Sequence, residues 1–201
     1  MVKTGAGAAV YIASPPPITF TDEATIASAD CKVYTIAAAE KRYWDPAVAV
    51  TVKKNDAIIT SGFTIQHVGG KVIFDTALES TDVVTISGGY LPVSRLGEAK
   101  EWSLDVDTKI LDATKLGDAW ENKVVGQRSV SVKLSKWWVD GFFLDQLTNL
   151  LVVVLYIDST VGTRYEAYAR IKSDSIKTVA DGLVEEDISL EVEGEIYYVA
   201  A

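Results

Sequence analysis

Histidine, cysteine and methionine are almost missing from this chain, which has one of each (His67, Cys31 and Met1) among 201 residues. One cysteine excludes an intrachain disulfide framework and a multi-cysteine zinc site. Cys31 reads as a small buried apolar residue, a usage that fits a reducing compartment. One histidine leaves any Ser-His-Asp or Cys-His catalytic set dependent on His67. His67 sits beside Val68-Gly69-Gly70 and reads as a surface residue in a hairpin turn. Long apolar runs are absent too. The longest, Leu150–Ile157, has eight residues, against about 20 for a membrane-spanning helix. Met1–Ala13 has one lysine and no continuous apolar stretch, so no signal peptide is expected.

What the chain does have is 48% hydrophobic and 23% charged residues, the composition of a folded domain with a sizeable core. Its net charge of −9 is unevenly placed. Residues 1–95 hold 9 acidic and 8 basic side chains, whereas 96–201 hold 19 and 11. An acidic second half argues against ordinary nucleic-acid binding, which needs Lys and Arg to displace phosphate counterions.

Three segments follow from the patterning. Residues 1–19 are Gly/Ala-rich and then carry Pro15–Pro17, which predicts a flexible arm. Residues 20–95 read as hairpin-rich β-structure. Val48, Val50 and Val52 alternate, Lys53-Asn55-Asp56 and Val68-Gly70 mark turns, and Gly88-Gly89 breaks a strand. Residues 96–201 alternate more cleanly. Trp102, Leu104 and Val106 oppose Glu101, Ser103, Asp105 and Asp107. Val130, Val132 and Leu134 oppose Ser129, Ser131 and Lys133, and Ile188, Leu190 and Val192 oppose Asp187, Ser189, Glu191 and Glu193. Phe143, Leu147, Leu150 and Leu151 form one helical stripe, so a helix is expected over about 140–151, capped by Asp140. The fold class is mainly β: an antiparallel sandwich or barrel with one flanking helix and an N-terminal β-hairpin extension.

No constellation for catalysis stands out. Asp105, Asp107, Asp187 and Glu191 could gather as a calcium site, but EF-hand spacing is missing and alternating strand acids usually form a solvated face. Gly5-Ala6-Gly7 lacks the preceding strand and following GK[ST] of a phosphate loop. Trp102, Trp120, Trp137 and Trp138 could form a carbohydrate platform. Trp137 and Trp138, as neighbours in a strand, should point one into the core and one outward. The 112–126 connection is too long and polar for a tight turn; loops of this kind are usually functional or ordered by a partner.

Four stretches resemble the major tail tube proteins of tailed bacteriophages, of the siphophage type. They are the tryptophan-led strand with "LDATKLGDAW" and "KVVGQRSVSVKLS", then "GTRYEAYARIKSDSI", "VADGLVEEDISLEVEG", and upstream "KRYWDPAVAV…GKVIFDTALESTDVVTISGGYLPVS". They cover most of 40–196. The resemblance implies a non-enzymatic structural subunit without cofactor or metal. It also implies hexameric rings stacked into a tube, with a few long strands per subunit in one inner barrel. Asp105, Asp107, Glu191 and Glu193 become the candidate lumen acids, an acidic wall past which DNA slides without specific binding. Asp112, Thr114, Asp118 and Trp120 become the candidate inter-ring loop. Tape measure and tail completion proteins are the further partners implied, with assembly in the host cytoplasm, residence in the virion tail and no membrane. The competing reading is a monomeric or trimeric carbohydrate- or receptor-binding β module using the tryptophans.

Overall fold

The computed structural model describes residues 7–117 and 119–200. In chain order its strands are β1 (Ala9–Ala13), β2 (Ile18–Ala27), β3 (Val33–Ile36), β4 (Thr51–Lys54), β5 (Ala57–Ile59), β6 (Phe63–Gln66) and β7 (Lys71–Phe74). There follow β8 (Val84–Tyr90), β9 (Ser94–Arg95), β10 (Ala99–Asp112), β11 (Lys123–Trp137), β12 (Leu151–Asp158), β13 (Thr163–Lys177) and β14 (Glu185–Val199). One α-helix, α1 (Phe142–Asp145), joins them. The protein is mainly β, in two antiparallel sheets of seven strands each, ordered β10-β11-β14-β13-β12-β1-β9 and β5-β4-β8-β2-β3-β7-β6.

The first sheet curls around its own apolar face. Because side chains alternate across a strand, Val132 and Leu134, Ile188 and Leu190, Ala169 and Ile171, Leu151, Val153 and Leu155, and Val10 and Ile12 share one side and form a single core. Phe143, from α1, is fully buried among them. The second sheet closes around Trp44, Ile36, Ile86, Val52 and Phe20. The hairpin joining β4 to β5 turns through Asn55 and Asp56 at φ of 49° and 66°. Such a turn matches the twist of the flanking strands and tolerates Asn and Asp.

The two sheets meet over a third cluster, in which Tyr43, Val68 and Leu91 pack on Ala13, Val152 and Val154. Two hydrogen bonds lock this seam: Tyr43 Oη donates to Glu166 Oε1 (2.8 Å), and Tyr168 Oη donates to the Trp44 carbonyl. The second sheet therefore sits over β1, β12, the start of β13 and the end of β14, away from β10 and β11.

Several sequence expectations change. Residues 9–13, expected in a flexible arm, form a buried strand between β12 and β9. The segment AVYIA is apolar enough to fill that slot although Gly, Ala and Pro surround it; residues 1–6 lie outside the described residues. The helix expected over 140–151 is one turn. Asp140 does receive the Phe142 amide (3.1 Å), but Gly141 occupies the cap and Leu151 is claimed by β12. A short helix gains little against its nucleation cost, and Leu144 and Leu147 are left exposed. Val48 and Val50 precede β4 instead of lying in it, and β8 runs through Gly88-Gly89. Cys31 is half-buried in a turn at φ 52°. His67 is half-buried against the Trp44 ring, and that burial lowers its pKa.

Candidate assembly surface

The four longest strands of the first sheet, β10, β11, β14 and β13, have 14 or 15 residues each and stand side by side. One side of this four-stranded unit is the core. The other is polar. In one row across it, Asp105 pairs with Ser131, Ser131 with Glu191, and Glu191 with Arg170. Asp107 lies opposite Ser129, and Glu193 opposite Tyr168. All four candidate lumen acids thus share one face, since odd positions on β10 and β14 point away from Leu104 and Leu190.

This face is less uniformly acidic than the sequence suggests. Glu193 pairs with Arg170 (2.5 Å), Glu191 with Lys172 (2.5 Å) and Asp105 more loosely with Lys133 (3.6 Å). Each partner is roughly half exposed, so such pairs contribute little stability and are screened by salt. Glu101, Asp107 and Asp187 have the same parity and add negative charge, while Ser103, Ser129, Ser131 and Ser189 supply hydroxyls.

Two long edges of the unit are open. β10 is the outer strand of its sheet. β12 covers β13 only along Thr163–Ala169, so among the described residues Lys172–Lys177 pair with β14 alone. Unpaired edges of this length are templates for strand addition by another chain.

β10 and β11 also outrun the sheet. β14 stops pairing with β11 at Ser131, yet β10 and β11 stay paired to Asp112 and Lys123. A bulge at Gly126 shifts the register between Thr108 and Ile110. The projecting ribbon is apolar on both sides: Ile110, Leu111, Val124 and Val125 are all exposed. At its tip the loop is well braced. Asp112 Oδ1 accepts from the Thr114 hydroxyl (2.5 Å) and amide (2.9 Å), and Thr114 Oγ1 accepts from the Asn122 amide (2.9 Å). These bonds, the Thr114 hydroxyl first, hold the Asp112 carboxyl below the usual carboxylate range. Trp120 is 87% exposed and Leu116 fully so. Of the four loop residues singled out from sequence, Asp112, Thr114 and Trp120 are gathered at this tip; Asp118 lies outside the described residues.

The opposite end of the same strands carries a second apolar patch. Trp138, Val139, Ile176, Val179 and Leu183 are exposed where β11 and β13 end and the 178–184 turn begins. The tryptophan pair does not divide as expected. Trp137 is half-buried on the polar face beneath Lys100 (4.2 Å to the ring), and Trp138 is exposed. The core-side position is taken by Lys136, 3% exposed, whose Nζ lies 2.8 Å from the fully buried Glu186. Neither Glu186 oxygen receives a well-directed hydrogen bond. Reading alternation alone misses this pair, because a lysine and a glutamate at core parity look like register errors.

Among the described residues no group of His, Cys, Asp and Glu is placed to hold a metal ion, and no helix is long and apolar enough to cross a membrane. No protein-family model and no curated sequence matches the chain. Solved structures do. The chain is similar in fold to a chain from the tail of an empty gene transfer agent particle refined with helical C6 symmetry. That likeness has 15% identity, a TM-score of 0.46, and covers 54% of this chain and 87% of the other. It is similar also to a chain of a native gene transfer agent virion, at 16% identity and a TM-score of 0.44, over 54% of this chain and 89% of that one.

Proposed function

We infer that this protein is a structural subunit of a phage-like tail tube and performs no catalysis. The observation that carries this reading is a four-stranded unit with two open long edges, one polar face and an apolar patch at each end. β10 of one copy adds to the free Lys172–Lys177 edge of β13 in the next. Six copies, the number implied by the family resemblance in the sequence, place 24 strands in one barrel. At about 4.8 Å between strands and a tilt near 40°, that barrel is ~40–50 Å across at its backbone, wide enough for side chains and a DNA duplex. Closure removes the edges that make the isolated sheet a hazard.

The polar face then lines the lumen, with Asp105, Asp107, Glu191 and Glu193 on its wall. Net negative charge repels phosphates, while the Arg170, Lys172 and Lys133 pairs keep the cations from presenting a free phosphate-binding row. The apolar ribbon tip of one ring meets the apolar base of the next. This is a heterologous contact, which propagates into a filament. Burying an apolar side chain there gains roughly 1.5–3 kcal/mol, against an association cost of about 4–15 kcal/mol. Most of a patch must therefore be covered at once, which six joined subunits achieve together.

Cysteine cross-linking tests the edge pairing. With Cys31 replaced by Ser, cysteines are scanned singly along 103–109 of β10 against 172–177 of β13. The reading predicts a register at which oxidation gives a ladder ending at six subunits. No ladder at any register contradicts it. The binding-module reading keeps one supporting feature, a polar cleft between the two sheets.

A further inference from the structure

Between the two sheets, where β13 begins and β14 ends, lies a cleft of about 440 Å³. The tube reading makes no use of it. Its walls are the outward face of β3 and β7, the 66–69 turn, the start of β13 and the end of β14. Its charged residues are three cations and one acid. Arg164 is spent on Glu166: its Nε lies 2.5 Å from Oε1, which also receives the Tyr43 hydroxyl. That leaves Arg42 and Lys71, both lining the cleft and neither in an ion pair among the described residues. Arg42 Nε is buried without a hydrogen-bond partner.

Two features make Arg42 a built position. Its backbone is clamped by Gly70, at φ +61°, where a Cβ would stand 2.9 Å from Arg42 Cα. Its neighbour Tyr43 is fixed in the seam. A buried guanidinium N–H with nothing to donate to is costly, and the cost disappears when an anion occupies the cleft. In a chain of net charge −9, two unpaired cations facing one cavity suit a negatively charged ligand. The remaining lining suits a sugar: Tyr197, on the Glu166 side of β14, offers an aromatic ring, Gln66 an amide, and Ser28 and Thr35 hydroxyls. The volume lies within the range of small-ligand sites.

The geometry points to a binding site for an acidic saccharide, with Arg42 and Lys71 on its carboxylate or phosphate and Tyr197 beside its ring. The cleft is built within one chain, so it functions whether or not the chain assembles.

Calorimetric titration of the full chain tests this. Trigalacturonic acid is the probe, maltotriose the neutral control and inorganic phosphate the sugar-free anion. Saturable binding of trigalacturonic acid is expected, at least tenfold tighter than either control. Arg42→Gln and Lys71→Gln each weaken it at least tenfold, while Lys133→Gln, on β11 and outside the cleft, leaves it unchanged. Arg42→Lys keeps the charge and loses the Nε donor, and it too weakens binding, which keeps the test valid if Arg42→Gln does not fold. Three results overturn the proposal: no saturable binding of trigalacturonic acid, binding indifferent to Arg42 and Lys71, or a control that binds as tightly. Assembly is scored separately by microscopy, so failure here leaves the tube reading standing.

Discussion

Lys136 and Glu186 show how much one pair of side chains can decide. Both are buried in the first core, 2.8 Å apart, with Phe143 nearby. Removing one charge strands the other, so Lys136→Met should cost about 3–5 kcal/mol in denaturant unfolding. Replacing both, as Lys136→Met with Glu186→Leu, should restore most of that loss or exceed wild type. Tyr43→Phe removes the hydroxyl donated to the Glu166 carboxylate and should cost about 1.5–3 kcal/mol. Three hydrogen-bonded acids have a pH signature. Asp22, Asp82 and Asp112 are held below the usual carboxylate range, chiefly by hydrogen bonds from Lys53, Lys54 and Thr114 respectively. A depressed pKa gives stability that is complete above the unfolded value, about 3.9, and is lost as pH falls through the folded value. The thermal midpoint should therefore be insensitive to these acids at pH 5–7 and fall below about pH 4.

At the scale of elements, the tube reading predicts that the β10–β11 ribbon separates folding from assembly. Trp120→Ser with Leu116→Ser removes two exposed side chains, so the subunit's unfolding free energy should change by less than about 0.5 kcal/mol per site. Stacking should nonetheless fail, leaving rings without tubes in the electron microscope; intact tubes would remove the ribbon tip from the inter-ring contact. The strands β11 and β14 were legible in the sequence because each has one buried and one wet face, which writes period two into the residues; β10 shows the same alternation, with Trp102 and Leu104 partly covered. The short helix was not, because its apolar stripe belongs to two elements: Phe143 to α1 and Leu151 to β12. β1 was hidden for another reason. Five residues between glycines and prolines carry too little pattern to outweigh their flanks, and only the vacant slot beside β12 makes them a strand.

For the molecule as a whole, the division into two sheets follows the charge asymmetry of the chain. The less acidic sheet is built from residues 18–90, and the more acidic second half supplies the polar face. The four acids were legible as one face because strand parity fixes it. The cations that meet three of them were not, since Arg170 and Lys172 lie on a different strand and reach Glu193 and Glu191 only through the β13–β14 register. Reversing the charge of Asp105, Asp107, Glu191 and Glu193 together should leave rings intact and slow DNA passage through assembled particles. Undiminished delivery would remove the lumen role from these residues.

Electron microscopy of the purified protein at high concentration tests the central claim most directly. The account predicts six-fold rings with a central hole, and tubes made by stacking them. Particles that stay single at every concentration, also when offered preformed tube ends as seeds, would contradict it.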